Sequence, residues 1–123
     1  EVKGKRIVLV DDSIVRGTTM RKLIRQLKDA GANEVHVRIS SPLIVHACHF
    51  GIDTPTNKSL IGANLNQAEI CRHIGADSLK FIQIEDLVQA TGMEGKLCKA
   101  CFDGNYPMPV PKTADKYVFE KER

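Results

Sequence analysis

Val8-Leu9-Val10-Asp11-Asp12-Ser13-Ile14-Val15-Arg16-Gly17-Thr18-Thr19 decides how this chain reads. The run opens apolar, turns at two adjacent carboxylates, crosses a short loop with Ser, Gly and Thr, and enters a helix. An unbroken apolar strand is the pattern of a parallel sheet covered by helices on both faces. A strand that ends in acids beside a helix N-terminus is suited to hold a phosphate together with a sugar or a metal.

Outward from this stretch, residues 6–10 read as a strand and either Thr18 or Thr19 can cap the helix that follows. Met20, Leu23, Ile24 and Leu27 then fall on one helical stripe, and Gly31 stops the helix. Residues 34–40 give the next strand, with Val35, Val37 and Ile39 on one face. Strand, helix and strand form one βαβ unit, for which a right-handed crossover is expected. The period is lost over residues 42–62, a connection long enough to be functional. Asn66 and Glu69 fit a capping box that opens a short helix ending at Gly75. Residues 79–82 read as a short strand and residues 84–91 as a last helix stopped by Gly92. The tail from Gly95 holds Cys98 and Cys101 and then Pro107, Pro109 and Pro111, and is expected to be irregular. The fold class is thus α/β, a parallel sheet flanked by helices over residues 1–92, with a cysteine-containing tail over residues 93–123.

At 123 residues there is room for one domain with one core. A net charge of +3 with scattered Lys and Arg, and with four Phe, two Tyr and no Trp, gives neither the basic patch nor the stacking platform of a nucleic-acid binder. No apolar run approaches the roughly 20 residues of a membrane helix, and no signal-peptide pattern is present. The first residue is Glu1 rather than Met, and the chain runs almost at once into a core strand, so it reads as a piece of a longer protein. Four cysteines without a secretory signal suggest a reducing compartment, the cytoplasm, and metal or cluster binding rather than disulfides.

Asp11 and Asp12 at a strand end can hold ribose hydroxyls or a Mg²⁺ that carries a pyrophosphate. The amides that follow converge on a helix N-terminus, whose partial positive charge favours a terminal phosphate. Thr18 and Thr19 add hydroxyl donors, and Gly17 lets backbone approach an anion closely. The plainer alternative is a turn whose Asp and Thr only cap. A receiver domain of two-component signalling also carries an acidic pair after its first strand. It requires a phosphate-accepting Asp after a third strand, and Asp53 lies at about the right distance. The segment before it, Val45-His46-Ala47-Cys48-His49, is a poor strand.

The stretch from Val10 through Thr19 resembles the phosphoribosyl pyrophosphate motif of type I phosphoribosyltransferases. Its Ser-Ile-Val-Arg-Gly variant is similar to that of the amidophosphoribosyltransferase family. The resemblance continues through Gly31-Ala32-Asn33-Glu34-Val35-His36-Val37, Phe50-Gly51-Ile52-Asp53, Ile74-Gly75-Ala76-Asp77 and Cys98-Lys99-Ala100-Cys101-Phe102-Asp103-Gly104. It implies a glycosyltransferase step in purine biosynthesis, in which ammonia from glutamine displaces pyrophosphate from phosphoribosyl pyrophosphate. Asp11 and Asp12 would hold the ribose hydroxyls and Mg²⁺. Ser13, Ile14, Val15, Arg16, Gly17, Thr18 and Thr19 would wrap the 5-phosphate. No protein nucleophile or base is named, because Mg²⁺ and fixed amides can stabilise the charges that develop. The resemblance also implies a homo-oligomer and a glutaminase domain upstream of this chain. The substrate flap and the loop that grips pyrophosphate are likewise expected upstream, so this piece alone is expected to be inactive. A non-catalytic regulatory relative that kept the loop for ligand sensing remains an alternative.

Cys98-Lys99-Ala100-Cys101 has metal or redox spacing, and Cys48 is flanked by His46 and His49. On chemistry alone Cys48, Cys98, Cys101 and one histidine could make a zinc site. The family resemblance implies instead a structural 4Fe-4S cluster, with Cys48, Cys98 and Cys101 as three ligands and the fourth upstream. Cys71 does not match and reads as a buried bystander thiol. His36 is expected on the outward face of its strand, and His73 on the surface of its helix.

Overall fold

A computed structural model describes residues 1–110. The sequence division at 93–123, and Pro111, therefore lie partly or wholly outside the described residues. Strand β1 (Arg6–Asp11), helix α1 (Thr18–Asp29) and strand β2 (Glu34–Ile39) form the expected βαβ unit. After the long connection come a 3-10 turn (Asn57–Ser59), α2 (Ile61–Asn64), α3 (Gln67–Ile74), β3 (Ser78–Phe81), α4 (Ile84–Thr91) and α5 (Ala100–Asp103). The sheet is parallel with order β1-β2-β3, and Asp11 lies beside Ile39.

One face of the sheet makes the core. Val35, Val37 and Ile39 are buried with Leu79 and Phe81 from β3, Met20 and Ile24 from α1, and Ile70 and Ile74 from α3. Each such side chain contributes about 1.5–3 kcal/mol when taken from water. The apolar stripe of α1 is therefore what seats it, with Leu27 packed at the margin. The Asn66–Glu69 capping box is complete: Asn66 accepts from the Glu69 amide at 3.0 Å, and Glu69 accepts from the Asn66 amide at 2.8 Å.

Among the described residues no helix covers the other face of β1, against the expectation that helices cover both. Val8 and Val10 are 64% and 68% exposed, because α1 and α3 both pack on the opposite face. The neighbouring outward residues of β2 are polar. His36 does face outward, between Glu34 at 2.7 Å and the Ser78 hydroxyl at 2.9 Å. Glu34 sits below the ordinary carboxylate range, first through His36 and then through Arg6. His73 is exposed on α3, as expected.

Three local expectations shift. No threonine side chain caps α1; Gly17 is its N-cap, in the left-handed region at φ 77°. The third strand starts one residue early, at Ser78, because the Asp77 amide already donates to the Val35 carbonyl at 2.9 Å. Helix α4 is not the last, since α5 follows inside the cysteine tail. Among the described residues no helix is long and apolar enough to cross a membrane.

Asp77 is a clamp between sheet and helix. It accepts from the Val35 amide at 2.7 Å and pairs with Lys28 at 3.0 Å. The Val35 amide first, and then Lys28, hold its carboxyl below the usual range. A depressed folded-state pKa gives stability that is present above the unfolded value, about 4, and lost as pH falls through the folded value. Urea unfolding across a pH series should therefore show an acid-side loss of stability that is shallower in Asp77→Asn, with the two proteins converging at low pH. An unchanged acid limb would refute this role for Asp77.

Candidate phosphate-binding site

Strand β1 delivers both acids to the C-terminal edge of the sheet. The Asp11 carbonyl accepts the Ser40 amide at 3.0 Å, which locks this edge to the end of β2. The Asp12 amide donates to Asp11 Oδ1 at 2.9 Å, and the Ser13 hydroxyl donates to Asp12 Oδ1 at 2.8 Å. Asp11 and Asp12 are both exposed, so their remaining oxygen lone pairs face solvent.

Beyond the acids the loop is fixed from the protein side. Ile14 is 3% exposed and plugs into the core. The Val15 carbonyl accepts the Ile61 amide at 2.9 Å. Gly17 is buried, and a Cβ there would lie 2.8 Å from Ile61 Cδ1 and 3.5 Å from Ile74 Cγ2. The glycine is thus required by its left-handed backbone and by packing onto α2 and α3, rather than by an anion's approach.

The amides of this loop are left over. Among the described residues, no protein acceptor takes the N–H groups of residues 13–19. The first turn of α1 carries no acidic residue that would compete for its positive end. A row of unpaired amides at a helix N-terminus is an anion cradle. Thr18 and Thr19 are exposed at its rim and can add hydroxyls. Arg16 is also exposed, but lines a separate cleft of about 1160 Å³ with residues 47–49 and 51–59, the side of the loop toward Cys48.

Asp53 lies in the irregular connection after β2, not at the end of a strand. The receiver alternative loses its phosphoacceptor position by that placement.

The cysteine tail folds back onto residues 45–50. The Val45 and His46 amides donate to the Cys101 carbonyl at 2.9 and 3.0 Å. The Tyr106 hydroxyl donates to the Ala47 carbonyl at 2.7 Å, and its ring meets the edge of His49. The Cys48 amide donates to the hydroxyl of buried Thr54 at 2.7 Å. Burial pushes the Cys101 thiol up, with smaller contributions in the same direction from Cys48, Cys98 and Asp103. Cys71 stands apart on α3; it is half-buried and its thiol donates to the Ala76 carbonyl at 3.3 Å. Among the described residues no three His, Cys, Asp or Glu side chains are placed to hold a single metal ion. The zinc arrangement with His46 or His49 is therefore not assembled there.

Two features of the site escaped sequence reading. Ser40 buttresses the acidic edge, and Asn57 and Asn64 brace the segment behind the loop. Pro55-Thr56-Asn57 carries turn chemistry, but nothing local names the partners of a turn.

Residues 1–40 match the family model of the phosphoribosyl transferase domain. The chain is 52% identical over 110 residues to an amidophosphoribosyltransferase of Synechococcus elongatus, covering 89% of this chain and 22% of the relative. It is 52% identical over 118 residues to that of Methanothermobacter thermautotrophicus, covering 95% of this chain and 25% of the relative. A solved glutamine phosphoribosylpyrophosphate amidotransferase from Bacillus subtilis, complexed with ADP and GMP, superposes with a TM-score of 0.84 at 48% identity. That match covers 91% of this chain and 26% of the solved one. The chain is thus a relative of the amidophosphoribosyltransferases by sequence and by fold, and spans about a quarter of their length.

Gly17→Ala should cost about 1–3 kcal/mol, because a left-handed non-glycine residue and an overlap with Ile61 are imposed together. Urea denaturation reads this directly, and a substitution without effect would show that the loop can repack around a methyl group.

Proposed function

We propose that this chain is the ribose 5-phosphate-binding part of an amidophosphoribosyltransferase. The whole protein would convert phosphoribosyl pyrophosphate and glutamine-derived ammonia to phosphoribosylamine and pyrophosphate, in cytoplasmic purine biosynthesis. The observation that carries the reading is the run of acceptor-free amides over residues 13–19, next to two exposed carboxylates. The relatives' names supply the reaction class.

In this reading the amides of residues 13–19 and the Thr18 and Thr19 hydroxyls hold the 5-phosphate. Asp11 and Asp12 accept from the ribose hydroxyls and supply oxygen ligands for Mg²⁺, a donor set that suits this hard cation. When bound, Mg²⁺ offsets the charge that builds on pyrophosphate as it leaves. The ammonia lone pair forms the new bond at C1 as the C1–O bond breaks. Pyrophosphate departs with the electron pair, and the amine sheds a proton to solvent. No side chain of this chain has to act as nucleophile.

Cys48, Cys98 and Cys101 would be three ligands of a 4Fe-4S cluster, a reading supported by the hydrogen bonds that hold the Cys101 backbone against residues 45–46. Each iron in a cluster takes its own thiolate, so the sulfurs need not converge on one point. A fourth thiolate would come from elsewhere in the whole protein, as would the glutaminase domain and the remaining substrate contacts. The cluster would pin the tail to residues 45–50, where little apolar core is available.

Two measurements test this. In the intact protein, Asp11→Asn with Asp12→Asn should lower phosphoribosylamine formation on the order of a hundredfold, while the 123-residue chain given phosphoribosyl pyrophosphate and ammonia should form none. Clear turnover by the isolated chain would overturn the assignment of a partial site. Chemical analysis of the anaerobically purified intact protein should find about four irons and four sulfides per chain, and zinc in their place would reject the cluster.

A further inference from the structure

The anion loop is held from behind by a relay of hydrogen bonds that begins in the cysteine tail. The Cys101 carbonyl takes the Val45 and His46 amides. The next amide, that of buried Ala47, donates to Asn57 Oδ1 at 2.8 Å. The Asn57 carbonyl, at the head of the 3-10 turn, accepts the Leu60 amide and Asn64 Nδ2, both at 3.2 Å. Asn64 Nδ2 also donates to the Leu60 carbonyl at 2.6 Å, which closes the turn onto α2. Ile61, the first residue of α2, then gives its amide to the Val15 carbonyl and sets its side chain against Gly17. Asn57 therefore touches the tail-bearing segment with its side chain and the α2 unit with its backbone.

We infer that Asn57 is a positioning residue for the anion loop: its side-chain oxygen holds the turn that lets the Ile61 amide grip Val15. With that grip, the Val15 carbonyl is drawn toward the protein, and among the described residues the amides of the loop keep no protein acceptor. Without it, the Ala47 amide loses its acceptor and the turn opens locally, while the sheet keeps its own hydrogen bonds. This inference rests on the reading that residues 13–19 receive a phosphate.

The test uses the intact protein with Asn57→Ala and Asn57→Asp, the latter keeping an acceptor oxygen. Native-state hydrogen exchange is followed at Ile61 and, as an internal reference, at Val35 and Val37 in β2. Affinity for inorganic phosphate is measured by calorimetry. Asn57→Ala should speed exchange at Ile61 by roughly tenfold and weaken phosphate binding by roughly threefold or more, the scale of one lost hydrogen bond. Val35 and Val37 should exchange as in the wild type, and Asn57→Asp should restore both values. Unchanged exchange at Ile61 would overturn the inference, and so would equal acceleration in β2, which would mark a general loss of stability. A wild-type protein that binds no phosphate would overturn the anion reading, and with it the role of Asn57, even if Ile61 exchange responded as expected.

Discussion

The parallel register of β1 against β2 is the constraint on which the site depends. Pairing runs from Arg6 beside Glu34 to Asp11 beside Ile39, and the Ser40 amide caps it by donating to the Asp11 carbonyl. A shift of one residue would turn Ile7 and Leu9 away from the core and Val8 and Val10 into it, exchanging the faces of the strand. It would also move both acids along the edge relative to the start of α1. The apolar burial of Val35, Val37 and Ile39 therefore does more than stabilise the sheet. It sets where the carboxylates stand relative to the amides that follow.

The loop itself is held in a conformation that costs free energy. Gly17 is left-handed, a carbonyl is turned inward to Ile61, and consecutive amides are left without protein acceptors. Amides at the exposed positions of the loop, such as Arg16, Thr18 and Thr19, can bond to water, which lowers the cost, and a phosphate replaces that water with charged oxygens. The holding force comes from outside the loop. Ile14 anchors it in the core, and α2 and α3 pack against Gly17. A rigid cradle spares a bound anion the entropy of ordering it, which is the advantage of preorganisation.

Much of this was legible because it is local. The stripe of Met20, Ile24 and Leu27, the Asn66–Glu69 box and the stop at Gly92 each sit within a few residues of what they specify. The acids and the amide-rich loop were legible for the same reason. Three things were not. The capping role of the threonines was overridden, because Gly17 already occupies the N-cap under pressure from Ile61, far along the chain. The cover over Val8 and Val10 was inferred from apolarity alone, which does not say which segment supplies it. The roles of Asn57 and Tyr106 depend on contacts with Ala47, ten and fifty-nine residues away, beyond the reach of any period or motif.

The two halves of the molecule are stabilised by different physics. The βαβ unit, α3 and β3 share a continuous apolar core. Residues 45–57 and the tail are tied instead by polar bonds, such as Cys48 to Thr54, Ala47 to Asn57 and Tyr106 to Ala47. Net contributions from such bonds are near 1 kcal/mol each, so a segment held by a few of them can open locally while the core stays folded. A segment of that kind gains from an added cross-link far more than a packed core does. The three cysteines lie in it, while Cys71 lies on the helix that is already seated. The same segment leads through α2 to Val15, so a part of the protein held by polar bonds is also the part that braces the anion loop.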